Sequence, residues 1–337
     1  MTEQSKIRVP SKATKGESLL ERASGAFSLD ALARPPVPKD LAPPVLKRGK
    51  ARKAPEGIAP APVEEAPVQF SAPSQEVHAE PAPVQTAPVE PMRFDAPAEE
   101  VDLAKLAEQG FIVPGGAVTT LLEEFRIVKR AVLEAARKSS KAQRVLISSP
   151  LPGEGKTFCA TNLALAIAGE KDSEVLLVDA DFAKPSVLSV LGLSGGANRS
   201  GGLMDALTDP SVQIEKCVVR TDIAGLYVLP AGTSTTSDSE YLNSRRTAEV
   251  LDRLTQGAPN RMVIFDSPPA LAASPAAELA KHVGQTVLVA RADMTGRSAM
   301  EDALQLLGSC RDIKLLLNDA RFSPSGRRFG AYYGYGE

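Results

Sequence analysis

The sequence is short of cysteine, of long apolar runs and of net charge, and each shortage removes a class of protein. Its 337 residues include three cysteines, Cys159, Cys217 and Cys310, an odd number with no metal-like spacing. Reduced thiols are expected rather than a disulfide framework or a cysteine metal site. No stretch approaches the ~18 apolar residues of a membrane-spanning helix, and the N-terminus lacks the apolar core of a secretory leader. The sequence therefore predicts a soluble, cytoplasmic chain that reaches a membrane only through a partner. A formal net charge of −2, without a uniformly basic surface, argues against nucleic acid as the main partner.

That small net charge conceals an asymmetry. Residues 1–53 hold 12 Lys+Arg against 5 Asp+Glu, and residues 54–102 hold 1 against 10. Proline is just as uneven, with 16 of 27 in the first 100 residues. Proline at that density blocks helix interiors and denies donors to a sheet. Residues 1–105 are thus expected to be a disordered Pro/Ala-rich region. Within it, Ser18 to Phe27 places Leu19, Leu20, Ala23 and Phe27 on one side, either a docking peptide or a transient helix without a role.

From Thr120 the pattern is regular. Leu121, Leu122, Phe125, Val128 and Val132 recur at helical spacing between charged residues, and Thr120 with Glu123 suggests a capping box. Six short apolar runs follow, around 145–147, 175–178, 226–229, 262–265, 286–289 and 314–317, separated by helical stretches. Non-alternating runs of this kind suit strands buried on both faces, joined by right-handed crossovers. The expected fold class is α/β, one domain over residues 106–321 with a mostly parallel central sheet flanked by helices. Residues 322–337 are expected to be a flexible tail.

The strongest local signal is Ser149-Pro150-Leu151-Pro152-Gly153-Glu154-Gly155-Lys156-Thr157, between a strand and a helix. Phosphate binding needs converging donors and a backbone that approaches closely, which Gly153 and Gly155 permit. The helix N-terminus adds partial positive charge. Lys156 would reach the β- and γ-phosphates of ATP, and the Thr157 hydroxyl would ligate Mg²⁺. The first glycine of the general G-x-x-x-x-G-K-[ST] pattern is replaced by Pro150. Glu154 and Phe158 complete the set of expected nucleotide contacts. The fold expected is thus that of a P-loop NTPase. Two strand-end acids sharpen the site: Asp179 and Asp181 close one run, and Asp266 closes another before Ser267-Pro268-Pro269. Water as acceptor would make an ATPase and tyrosine a kinase, and the site alone does not decide. The end of the chain does, because three of only five tyrosines, Tyr332, Tyr333 and Tyr335, stand in its last six residues. Glycines keep that segment thin enough to enter a cleft.

Together these residues resemble the bacterial tyrosine kinases of exopolysaccharide and capsule synthesis, P-loop proteins related to the ParA/MinD ATPases. The segments that carry the resemblance are Ser149 to Thr157, Val178 to Asp181, Ile264 to Pro269, Leu229 to Gly232 and the tyrosine cluster. The Tyr-Tyr-Gly-Tyr-Gly ending is similar to the exosortase-associated branch. The lysine that ParA/MinD ATPases carry five residues before the Lys156 equivalent is Leu151 here. The resemblance implies autophosphorylation of the tail within a homo-oligomer, a membrane chain-length regulator (polysaccharide co-polymerase) as activator, and a tyrosine phosphatase as a further partner. It implies that Lys156, Asp179, Asp181 and Asp266 are catalytic, with Thr157, Asp179 and Asp266 around Mg²⁺ and Asp181 taking the tyrosine proton. It implies an oligomer interface at Glu123, Arg126 and Lys129, where the family's Glu-x-x-Arg-x-x-Arg ends in Lys instead of Arg. Ala183-Lys184 stands where the family often has arginine. Asn318, at the end of the last run, is either a base contact or a turn residue. The alternative to a kinase is an ATP-binding or ATP-hydrolysing scaffold of the polysaccharide machinery.

Overall fold

Strands apolar on both sides need cover on both sides, and helices between them supply it. The computed structural model describes residues 90–193 and 201–320. Its strands are Ala98–Glu99 (β1), Arg144–Ser148 (β2), Glu174–Asp179 (β3), Val219–Thr221 (β4), Leu226–Leu229 (β5), Arg261–Asp266 (β6), Gln285–Arg291 (β7) and Ile313–Asn318 (β8). The helices are Leu103–Glu108 (α1), Thr120–Ala136 (α2), Lys156–Ala168 (α3), Val187–Val190 (α4), Leu203–Thr208 (α5), Ile214–Cys217 (α6), Asp238–Leu242 (α7), Arg245–Thr255 (α8), Pro275–Ala280 (α9) and Arg297–Leu306 (α10). All six expected runs are strands.

They form one sheet in the order β1-β4-β5-β3-β6-β2-β7-β8. The six expected strands are mutually parallel. β4 runs antiparallel to β5 and carries β1 alongside it. Alternate strand residues divide the core between two faces. Leu146, Leu176, Val178, Phe265 and Leu288 pack with Leu207, Leu251, Leu279 and Ala303. On the other face, Val145, Ile147, Leu177, Ile264 and Val289 pack with Leu163, Ile167, Phe125 and Val132. α3 is buried from Cys159 to Ile167, which is why it carries small and aliphatic residues instead of an amphipathic stripe.

Four expectations need correction. The fold begins before residue 106: β1, the buried Phe94 and the buried Val101 belong to it. Composition concealed this because the anchors are single residues in a proline-rich stretch. Phe94 packs 5.0 Å from the Tyr227 ring, and the Arg261 guanidinium lies 4.5 Å over its face. Arg261 also donates to the Met92 carbonyl at 2.7 Å and to Glu174 at 2.9 Å. Second, β8 is not buried on both faces. Leu315 and Leu317 are 61% and 63% exposed, because β8 is the sheet edge and the core on that face reaches only its first residue, Ile313. Third, Thr119 rather than Thr120 caps α2, accepting from the Leu122 N–H at 3.2 Å. Glu123, the expected capping partner, instead pairs with Arg126. Fourth, the short antiparallel β4 was not expected. The readings for residues 1–89, including Ser18 to Phe27, and for the tail 322–337 lie outside the described residues.

Phe94→Ala is expected to destabilise the fold by about 2–4 kcal/mol, from lost ring burial and the lost cation–π contact. A chain starting at residue 106 should unfold at lower urea than one starting at residue 90.

Candidate active site

The parallel register sets the site. Asp179 and Asp266 are Cα partners across β3 and β6, and Ile147 pairs with Asp266 across β2 and β6. The two carboxylates and the loop after β2 therefore meet at one sheet mouth.

The loop is shaped by its glycines and by stitches from neighbouring segments. Gly153 and Gly155 have φ of 78° and 92°, the left-handed region that other residues rarely adopt. A Cβ on Gly155 would collide with the Asn318 side-chain amide, whereas one on Gly153 would meet nothing. Asn318 donates to the Glu154 carbonyl at 2.9 Å. The Glu154 side chain is buried and accepts from the Leu151 N–H at 2.7 Å and from the Thr295 hydroxyl. After β6, Ala270 donates to the Ser149 carbonyl at 2.7 Å and Leu271 to that of Pro150 at 3.2 Å. Pro150 thus serves the loop as an acceptor. Gly155 caps α3 without a side chain, so the N–H groups of Lys156, Thr157 and Phe158 open the helix with no helical acceptor. Phe158 itself packs its ring on Phe111, centroids 4.9 Å apart, so of this residue only the backbone N–H opens the helix toward the loop.

The acids differ sharply from one another. Asp266 is fully buried, and neither carboxylate oxygen has a hydrogen-bond partner among the described residues. Burial pushes its carboxyl up to about 7, partly offset by the nearby Thr157 hydroxyl. A desolvated carboxylate with open lone pairs beside a hydroxyl and a helix N-terminus fits a magnesium ion arriving with its nucleotide. Among the described residues no cluster of three or more metal-ligating side chains exists, so phosphate and water would supply much of that ion's shell. Asp181 lies 3.3 Å from the Lys156 ammonium. Asp179 is engaged by backbone: one oxygen accepts from Ser186 at 2.8 Å and Val187 at 3.0 Å, the other from Asp181 at 3.3 Å. Burial raises its carboxyl against those bonds. As found, Asp179 holds the turn that follows β3, a task the sequence did not reveal.

The expected interface residues lie elsewhere, on α2. Arg126 is exposed and pairs with Glu123 on its own helix. Lys129 is mostly covered and paired with Glu170, so its charge is engaged within the chain. Burial raises the thiol of Cys159 to about 12 and that of Cys217 to about 11, as inert core cysteines require. Sequence reasoning missed Thr295, Ser267 and the Pro268 carbonyl, which accepts from Ser148 at 2.9 Å. Ser267 and Pro268 were hinted at only by standing directly after Asp266, and nothing local pointed to Thr295.

Asp266 leads to a pH prediction. Because its folded-state carboxyl is raised, the metal-free fold binds a proton that the unfolded chain releases. Stability from this source is present at acid pH and is lost as pH rises through about 7. Asp266→Asn is therefore expected to raise the unfolding free energy of the nucleotide-free protein by roughly 1–3 kcal/mol at pH 8, a gain that shrinks toward pH 4. Calorimetric melts across that range check it.

Residues 143–320 match the AAA domain family. The chain is similar to tyrosine-protein kinase YwqD of Bacillus subtilis, 32% identical over 63% of this chain and 86% of that protein. It is also similar to tyrosine-protein kinase wzc of Salmonella typhimurium, 31% identical over 59% of this chain but only 27% of the relative. Tyrosine-protein kinase ptk of Acinetobacter johnsonii is likewise spanned over 27% of its length. Among solved structures, the chimerical protein CapA2B2 matches at 25% identity, covering 66% of this chain and 94% of that one, with a TM-score of 0.51. The kinase domain of Escherichia coli tyrosine kinase ETK shares the fold, at 22% identity, a TM-score of 0.52 and cover of 66% and 91%. With an AAA-domain match over more than half its length and these kinase relatives, the chain belongs to the bacterial tyrosine-protein kinase family of P-loop proteins.

Proposed function

We propose that this chain is an ATP-dependent protein-tyrosine autokinase that regulates exopolysaccharide synthesis or export, with Tyr332, Tyr333 and Tyr335 as its acceptors. The observation that carries the reading is the Lys156–Asp181 pair at 3.3 Å, poised between the phosphate loop and the rest of the sheet mouth. An arriving γ-phosphate competes for the Lys156 ammonium and frees the Asp181 carboxylate. Asp181 then accepts the phenolic proton as the tyrosine oxygen bonds to the γ-phosphorus and the bond to the β–γ bridging oxygen breaks, leaving ADP. Magnesium, when bound, neutralises charge on the transferred group; Thr157 and Asp266 are the residues to hold it, with Asp179 ordering the adjoining turn. The opening N–H groups of α3 and the Gly153-Glu154-Gly155 backbone cradle the phosphates. Asn318 stands beside the loop on the β8 side, where the base would lie.

The kinship of wzc and YwqD by name with tyrosine kinases supports the same reading, as does the tyrosine-rich end of the chain. Assembly into a homo-oligomer through Glu123, Arg126 and Lys129, activation by a membrane chain-length regulator at the inner face of the membrane, and reversal by a tyrosine phosphatase belong to the proposal.

Incubation with labelled ATP and phosphosite mapping test it. Label is expected on Tyr332, Tyr333 and Tyr335, and Lys156→Met should remove it. Asp181→Asn should retain ATP binding and slow transfer by about 10²–10⁴-fold. ATP hydrolysis with no tyrosine label, the chain-length regulator present, would favour the scaffold reading instead.

A further inference from the structure

The segment after β7 is stitched into a closed turn of its own. Its chain reverses at Asp293, whose φ of 59° lies in the left-handed region. The Thr295 hydroxyl accepts from the Arg291 N–H at 2.8 Å, and the Thr295 N–H donates to the Arg291 carbonyl at 2.9 Å. Arg291 reaches Asp319, just past β8, at 2.9 Å, and the Ala292 N–H donates to the Asn318 carbonyl at 2.9 Å. Thr295 is thus placed by β7 and β8, while the phosphate loop belongs to β2.

With its oxygen accepting from Arg291, the hydroxyl has a single proton to give, and it gives it to the Glu154 carboxylate. Glu154 stands inside the phosphate loop, directly before Gly155 and Lys156, and is buried. Its other carboxylate oxygen takes the Leu151 N–H at 2.7 Å. An acid at this position is a hazard. It is a negative charge built into the turn that must receive a polyphosphate, and like charges oppose one another strongly where water is scarce. Turned toward the phosphates, it would cancel much of the attraction that Lys156 offers.

We infer that Thr295 is a positioning residue for the nucleotide: its hydroxyl holds the Glu154 carboxylate against the segment after β7, out of the path of the phosphates. The inference rests on the nucleotide-binding part of the reading above and is independent of which group accepts the phosphoryl. Each Glu154 oxygen has one donor, Leu151 or Thr295, so the side chain is satisfied where it lies. Asn318 fixes the Glu154 backbone through its carbonyl at 2.9 Å, which leaves only the side chain free to move. Without the Thr295 hydroxyl one buried oxygen loses its donor, a cost that rotation of the carboxylate into the loop mouth would relieve. The clip therefore keeps donors, and no acid, turned toward the ligand.

The test is titration of ATP and of ADP, each with magnesium, into the full chain and its variants. Thr295→Val, which keeps the shape and removes the hydroxyl, should raise Kd for ATP about tenfold or more. The penalty should be at least about threefold smaller for ADP, which carries less charge, and should shrink in high salt. Thr295→Ser should restore both affinities to within about twofold. In a Glu154→Gln background, where the charge is gone, Thr295→Val should change ATP affinity by less than about twofold. Thr295→Ala serves as a second variant for the same comparisons, and the ratio of ATP to ADP affinity is unaffected by any loss of folded material. An ATP affinity unchanged in both Thr295→Val and Thr295→Ala would overturn the inference. So would equal penalties for ATP and ADP that persist beside Glu154→Gln, since these mark a backbone effect without charge. Either result leaves the nucleotide reading intact; a folded parent chain that takes up neither nucleotide would overturn that reading, and the inference with it.

Discussion

The site depends on one backbone constraint, the left-handed turn at Gly155. With φ at 92°, the chain reverses into α3 with its first N–H groups pointing outward and unsatisfied, and that is what makes the end of a buried helix able to attract phosphate. The turn is tight because Asn318 occupies the space a side chain would need, its amide on the Glu154 carbonyl. Glu154 in turn braces Leu151 and Thr295. A strained loop is thereby held by the last strand and by the segment after β7, and its shape is an outcome of the whole sheet rather than of nine local residues.

The sheet also explains why the acids behave differently. Parallel register brings Asp179 and Asp266 side by side, yet one is held by backbone donors and the other is buried with no hydrogen-bond partner among the described residues. Donors make Asp179 a structural anchor. Their absence leaves Asp266 costly to ionise in the metal-free fold, a cost that a magnesium ion bound with nucleotide would offset. Asp181, two residues after Asp179, accepts from the Lys184 N–H with one oxygen and pairs with Lys156 through the other, and in the proposed mechanism it is the acid that changes partners when phosphate enters.

Much of this was legible in the sequence because it is written in short contiguous patterns. The six apolar runs became the six parallel strands, and the glycine-lysine-threonine turn fell between a strand and a helix as its chemistry requires. What escaped depends on contacts distant in sequence. Phe94 folds back because Arg261 and Tyr227, more than 130 residues away, offer a cation and a ring. Thr295 meets Glu154 only through tertiary packing. The exposure of Leu315 and Leu317 follows from β8 being an edge, which strand order decides and local hydrophobicity does not. The pairing of Lys129 with Glu170, in the turn after α3, likewise joins residues more than 40 positions apart.

The most direct measurement is titration calorimetry of ATP, with and without magnesium, into the intact chain and into Gly155→Ala. The account predicts magnesium-dependent binding by the intact chain, weakened at least about tenfold by the added methyl group, with Gly153→Ala affected less because its Cβ would meet open space. Tight, unchanged binding by Gly155→Ala, or no magnesium-dependent uptake by the intact folded chain, would contradict it.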